Sequence, residues 1–334
     1  MPSNLYNNTP LIKGSDILDT VHFYRHFKGF TGGHLKVFDY FNHTLESGFL
    51  SASIFFSAES VTDERNPWFR HQQYTSDKWP PTSSDILFLA GDDWQSLPVS
   101  DRINRHSPVI NLIQGFRHAT PGTSVYPYLQ NRAIRIFVGE EVANAVLNTG
   151  QINGPHFIIP NGIDLNYVRS FIRNPNDRDT DLLIAGLKNP ELAIEIAQKI
   201  KIPGIRIQCI TQKISRADFL EKVGSSRVTL FLPHTREGFY LPPLEGMALE
   251  TLVVCPCFTG NKQLYRDGYN CFNPEYRLEP VLNAIQSALD IPEMEVTQML
   301  DHARQSASFH NIEGERKMYH HILCQLPELW KQSK

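Results

Sequence analysis

Two glutamates, Glu237 and Glu245, stand with seven residues between them in the stretch FLPHTREGFYLPPLEGMALETLVVCPCFTGNKQLYRDGYNCFN, residues 231–273. An ionised carboxylate offers two acceptor oxygens and suits the vicinal hydroxyls of a sugar or a ribose. The stretch opens with the apolar tail of a buried strand and continues into the polar turn His234-Thr235-Arg236-Glu237-Gly238. Pro242-Pro243 then suits the first turn of a helix, where a missing N–H is no loss. The spacing predicts a helix over 244–249 and a strand over 252–255. It also predicts a second short helix opened by Gly260-Asn261-Lys262 and ended by Gly268. Two helix N-termini aimed at one crevice would form an anion site. Taken alone, the two glutamates also fit a solvated loop residue and a helix-surface residue.

The elements that position this stretch alternate strand and helix along the chain. Strands are expected over 20–26, 51–57, 85–91, 109–114, 133–139 and 157–160, then over 181–186, 205–210 and 226–232. Leu35, Phe38, Phe41 and Leu45 recur at helical spacing, with Gly48 placed as a C-cap. Gly32-Gly33 therefore falls at a strand-to-helix turn, where backbone can approach a ligand closely; it is not a dinucleotide fingerprint. A helix is expected over 140–147. Asn189-Pro190 reads as cap and first-turn proline of another, and Ser215-x-x-Asp218 as a capping box. Residues 169–181 are polar and charged, as a linker is, and the Asp179-Thr180-Asp181 triplet reads as part of it rather than as a metal clasp. Helices follow over 278–289, 293–307 and 313–330.

The string EGFYLPPLEGMALETLVV, followed by the Gly260 turn and RDGYNCF, resembles the signature of the GT4 family of retaining glycosyltransferases. IIPNGIDLNYV resembles the end of that family's N-terminal domain. The resemblance implies an α/β GT-B fold: two Rossmann-like domains facing a central cleft, with a C-terminal helix crossing back to the first. It implies an acceptor domain over 1–165 joined by helix 313–332, and a donor domain over 166–312. By the same resemblance Glu237 binds the transferred sugar, Glu245 binds the ribose diol, and the backbone of Gly238, Phe239, Tyr240 and Leu241 cradles the donor. Gly33 faces the donor diphosphate, His34 lies on the acceptor side, and His118 stands near the reacting centre; as a lone histidine, His118 fits a loop hydrogen bond equally well. The nucleobase falls near Thr211 to Ile214. Leu187 occupies the place of the family's phosphate-binding arginine, which leaves Lys188 or Lys262 to substitute. Tyr240, Glu250 and Asn261 also depart from the family's usual glycine, cysteine-or-glycine and glycine.

Composition bounds the remaining classes. The 334 residues suffice for two domains. A net charge of −3 gives no reason to expect nucleic acid. Of five cysteines without a CxxC, three lie in or beside expected strands and read as small buried hydrophobes in a reducing compartment. The polar start MPSNLYNNTP has no signal-peptide pattern, and no apolar run reaches the ~20 residues of a membrane span. The expected setting is cytoplasmic, with peripheral membrane contact left open. No cofactor or metal is expected; a nucleotide-diphosphate sugar is the co-substrate, and the acceptor is a glycan, a lipid or a small molecule. The alternatives are a non-catalytic nucleotide-sugar-binding protein of this fold and a sugar-nucleotide epimerase.

Overall fold

A computed structural model describes residues 19–79, 82, 84–260 and 262–332. The start MPSNLYNNTP and Asn261 lie outside them. In chain order the first unit comprises β1 (Thr20–Arg25), α1 (Gly32–Glu46), β2 (Ser51–Phe56), β3 (Ile86–Ala90), α2 (Val99–Ile103), β4 (Val109–Ile113), β5 (Ile134–Phe137), α3 (Glu140–Leu147) and β6 (His156–Ile158). All described pairings between these strands are parallel, in the order β2-β1-β3-β4-β5-β6. Every residue of β4 and β5 is buried, as continuous apolar strands of a parallel sheet require.

Arg135 interrupts that apolar run at 0% exposure and has four acceptors around it. It donates to Asn111 Oδ1 at 2.5 Å and to the carbonyls of Tyr128, Leu129 and Asn131 at 2.9, 2.9 and 2.5 Å. Burial pushes its pKa down to about 9. This arginine ties the loop before β5 to the sheet.

The second unit comprises α4 (Leu165–Arg169), β7 (Thr180–Ala185), α5 (Pro190–Lys199), β8 (Ile207–Ile210), α6 (Arg216–Gly224), β9 (Ser226–Phe231), α7 (Leu241–Ala248), β10 (Leu252–Val254), α8 (Leu278–Asp290) and α9 (Glu293–Phe309). Its strands are also parallel, in the order β10-β9-β7-β8. Asn189 and Ser215 cap α5 and α6, each side chain accepting the N–H three residues on. Then α10 (Ile312–Leu323) and α11 (Leu326–Gln332) return to the first unit. Tyr319, Ile322, Leu323, Leu326 and Leu329 join its core.

The chain passes between the units twice, and the two passages are bonded to each other. Ile163 N donates to His310 O and Ile312 N to Ile163 O, both at 2.9 Å. A Cβ on Gly162 would lie 2.4 Å from Asn311 O, so only glycine fits there.

Four local expectations are corrected. Helix α7 starts at Leu241, not 244, because Pro242 and Pro243 extend its first turn rather than precede it. Residues 262–268 form no helix; the segment is held as turns, with Lys262 N donating to Glu141 Oε1 at 3.0 Å and Arg266 N to Asn270 Oδ1 at 2.8 Å. The 169–181 linker ends in β7, where Asp181 makes a bidentate pair with Arg206 at 2.8 and 3.0 Å. Of the cysteines only Cys255 and Cys271 are buried, and Cys209, Cys257 and Cys324 are exposed free thiols. Glu250 takes φ 59° at the end of α7, a left-handed conformation that favours glycine.

Candidate active site

The loop between β9 and α7 carries Glu237 to the first unit. Glu237 N donates to His234 O at 3.0 Å, closing the turn. A Cβ added to Gly238 would lie 2.3 Å from Gln114 O and 3.0 Å from Gly115 Cα, the backbone just after β4. The loop after β10 braces it from behind, since a Cβ on Gly260 would meet Gly238 O at 2.1 Å. Phe239 packs against the cores of both units. Arg236 donates to Thr120 Oγ1 at 3.2 Å, Lys262 N to Glu141 Oε1 at 3.0 Å, and Gln263 to Glu140 Oε2 at 3.2 Å. The two units thus touch along one edge of the loop.

This contact leaves no room for a side chain. Gly238→Ala should reduce any ligand-dependent turnover by on the order of tenfold, because misplacing a reacting group by a fraction of an ångström is costly. Steady-state rates together with a melting curve check it; a lost rate with a lowered melting temperature is the expected pattern, because the Gln114 backbone must give way.

The carboxylates each hold a cation. Glu237 Oε1 is 2.7 Å from Lys188 Nζ, the lysine after β7. Glu245, 2% exposed on α7, has Oε1 2.6 Å from Arg216 Nη1 on the first turn of α6. That contact is an ion pair without hydrogen-bond geometry, and it leaves the carboxylate able to accept further donors. Arg216 is a residue that the sequence reading missed. Only its place after the Ser215 cap, one turn from the expected nucleobase segment, could have suggested it. Lys213 is a second: its ammonium comes 4.0 Å from the position a Gly29 Cβ would take, reaching the first unit from the second.

Prolines at the second and third positions of α7 remove two of the N–H groups that a helix start normally presents. The donors available there are those of Gly238, Phe239, Tyr240 and Leu241. The Tyr240 ring is buried against Phe258, at 6.1 Å between centroids, and its carbonyl accepts from Tyr265 Oη at 2.8 Å. Tyr240 therefore offers backbone rather than side chain. The backbone N–H of Lys262 donates to Glu141.

On the first unit, a cavity of about 680 Å³ opens at the C-terminal ends of β1, β3 and β4. Gly33, His34, Gln114 and His118 line it. Thr31 caps α1 by accepting His34 N at 3.2 Å, and Gln114 Nε2 donates to Gly33 O at 3.3 Å. His118 Nδ1 lies 3.2 Å from Gly115 O, which fixes the proton on Nδ1 and leaves Nε2 as a buried acceptor without a partner. His34 Nδ1 is likewise buried and unpaired.

Burial, the largest cause in both, pushes the pKa of His34 and of His118 down to about 4. Nearby positive charges add to it: Arg25, His26 and Lys213 for His34, Arg135 and Arg117 for His118. A folded pKa below the unfolded 6.5 means that the unfolded chain takes up these protons first. Their contribution to stability is complete above 6.5 and lost as pH falls towards 4. We expect the urea midpoint to fall across that window, each histidine adding a slope of about 1.4 kcal/mol per pH unit. His118→Gln should shrink the difference between midpoints at neutral pH and at the acid end.

Among the described residues no group of three His, Cys, Asp or Glu is placed to hold a metal ion. No described helix is long and apolar enough to cross a membrane.

No protein-family model matches the chain, and none of the curated proteins matches it. Solved structures do. A sucrose-phosphate synthase from Thermosynechococcus elongatus superposes with a TM-score of 0.67 at 13% identity, covering 93% of this chain and 99% of its own. Anabaena HepE, solved in complex with UDP-glucose, gives 0.71 at 13% identity over 92% and 100%. The lipopolysaccharide outer core galactosyltransferase WaaB gives 0.63 at 10% over 92% and 99%. The fold of this chain is therefore the GT-B fold, two Rossmann-like units about a cleft with the C-terminal helices crossing back.

Proposed function

We propose that this chain is a retaining glycosyltransferase of GT4 type that moves a sugar from a nucleotide-diphosphate donor to an acceptor hydroxyl. One observation carries the reading: the Glu237–Gly238 turn of the second unit rests on Gln114–Gly115, the rim of the cavity in the first. A donor held at Glu237 and an acceptor held in that cavity would meet there. Known structures of this fold were solved with UDP and UDP-glucose, which supports a nucleotide donor.

In the reaction the acceptor oxygen bonds to the anomeric carbon as the bond from that carbon to the phosphate oxygen breaks. The electron pair leaves on the diphosphate, and the acceptor proton passes to the leaving phosphate oxygen on the same face. Glu237 would hold the sugar hydroxyls, with its charge facing the developing positive centre. Lys188 would exchange Glu237 for the departing diphosphate. Glu245, steadied by Arg216, would take the ribose diol. The N–H groups of Gly238, Phe239, Tyr240 and Leu241 would bind phosphate, with Gly33 approaching it from the first unit. His118 and His34 would face the acceptor. Catalysis without a metal is part of the proposal, since Asp181 of the Asp-Thr-Asp triplet is already satisfied by Arg206. Free thiols fit a cytoplasmic setting.

The test is a thermal-shift screen against UDP-, GDP-, ADP- and dTDP-sugars and the free nucleotides, repeated with Glu245→Ala. A ligand at about a hundred times its dissociation constant stabilises by about 2.7 kcal/mol. One nucleotide series should shift the parent and fail on the variant. No shift from any series would end the transferase reading.

A further inference from the structure

Most of the residues around the cavity of the first unit carry polar or charged side chains. Its described apolar side chains are Tyr24, Ala90 and Val125. Its charged lining comes as two ion pairs. Arg25 is joined to Asp93 with both side chains under a tenth exposed, and Arg117 Nη2 lies 3.3 Å from Asp92 Oδ2. Asp92 also accepts from Ser124 Oγ at 2.6 Å and Gln95 Nε2 at 3.1 Å, and Asp93 accepts from Ala90 N at 2.8 Å. His34 and His118 are held neutral, and the buried Nε2 of His118 lacks a donor.

Pairing cancels the fixed charge yet leaves a dense set of carboxylate, guanidinium and imidazole edges. Such edges match a ligand rich in hydroxyls, each of which both donates and accepts. An anionic ligand would want a cation without a committed carboxylate, and both lining arginines are committed. A lipid tail would want an apolar channel, which three scattered side chains do not make. At about 680 Å³ the space is that of a small-molecule site.

We propose that the cavity binds an uncharged saccharide, one or two rings at its accepting end, through Arg25, Asp92, Asp93, Arg117 and the acceptor nitrogen of His118. As an acceptor site the proposal rests on the transferase reading above; as a sugar site it does not. Lys213, outside the lining, is the cation on which a phosphorylated sugar would have to depend.

The experiment is saturation-transfer NMR and calorimetric titration of the full chain with glucose, galactose and maltose. The 6-phosphates of the two monosaccharides and a short polyprenyl phosphate in detergent micelles run beside them. At least one neutral sugar should bind in the millimolar range, and Asp92→Asn, at a half-exposed position that tolerates change, should weaken it about tenfold. A 6-phosphate that binds about tenfold tighter than its parent and loses that gain in Lys213→Met would overturn the proposal. So would binding by the lipid alone, or by none of the neutral sugars. The nucleotide screen on the same preparation separates the two ideas. Nucleotide shifts without sugar binding would sink this inference and spare the transferase reading; sugar binding without nucleotide shifts would do the reverse.

Discussion

Glu237→Gln should lower kcat by about 10²–10³-fold, or about 2.7–4 kcal/mol of transition-state stabilisation, with little change in KM. The exchange keeps the shape and reach of the side chain, removes its charge and turns one acceptor oxygen into an NH2 donor. That charge matters most when the anomeric carbon turns positive, so the loss belongs to the transition state rather than to binding. The Glu237 side chain is 22% exposed and faces Lys188 at 2.7 Å, so its charge is only partly screened by water. Lys188→Met should cost less, about tenfold to a hundredfold, because the backbone donors of the 238–241 turn remain for the diphosphate. The double variant should fall short of the product of the two losses, since the residues share a contact and act as a unit. Initial rates with the donor found by the nucleotide screen, at saturating acceptor, measure this. Turnover of Glu237→Gln within about threefold of the parent would remove Glu237 from the chemistry.

The alternation of strand and helix was legible because parallel strands buried on both faces are plain apolar runs, as in residues 109–113. Caps at Asn189 and Ser215 were legible because their side chains bond three residues ahead. The pairing of the carboxylates was not. Which cation meets Glu245 is settled by how α6 packs beside α7, and nothing local to Arg216 announces it. Gly238 shows the same limit: the sequence places a glycine in a turn, but the reason for it is the backbone of Gln114, contributed by the other unit. The helix expected after Gly260 failed because a turn-rich segment can be braced by side chains, here Glu141 on Lys262 N and Asn270 on Arg266 N, rather than by its own i→i−4 bonds. Glu250 stands out as a departure from the family's cysteine or glycine, and its φ of 59° is one that glycine adopts freely.

The largest loss of stability should come from a residue far from the donor loop. Glu315 of α10 is 2% exposed, and its Oε2 lies 2.6 Å from Lys36 Nζ and accepts Gly162 N at 2.6 Å. Its Oε1 faces His43 Nε2 at 3.1 Å. Lys36, 1% exposed, reaches Asp39 at 2.7 Å and Gly162 O at 3.0 Å as well. One carboxylate thus ties α1, the first passage between the units and α10 together. Burial alone would raise the Glu315 pKa; Lys36 and His43 outweigh it, and the net direction is down. Glu315→Ala would strand the Gly162 N–H and leave Lys36 with a single carboxylate in a dry place. We expect a loss of about 3–5 kcal/mol, read as a lower urea midpoint with an unchanged slope. Lys36 keeps Asp39 at 2.7 Å, so most of that cost is the unpaired Gly162 N–H and the partners lost by Lys36 and His43. Lys36→Met and Asp39→Asn combined with Glu315→Leu leave no buried ion and should therefore recover part of it. A triple variant as unstable as the single one would mean that the network is needed for its geometry. Gly162 would be the reason, because its backbone donates to Glu315 and accepts from Lys36 and cannot be repaired by apolar packing.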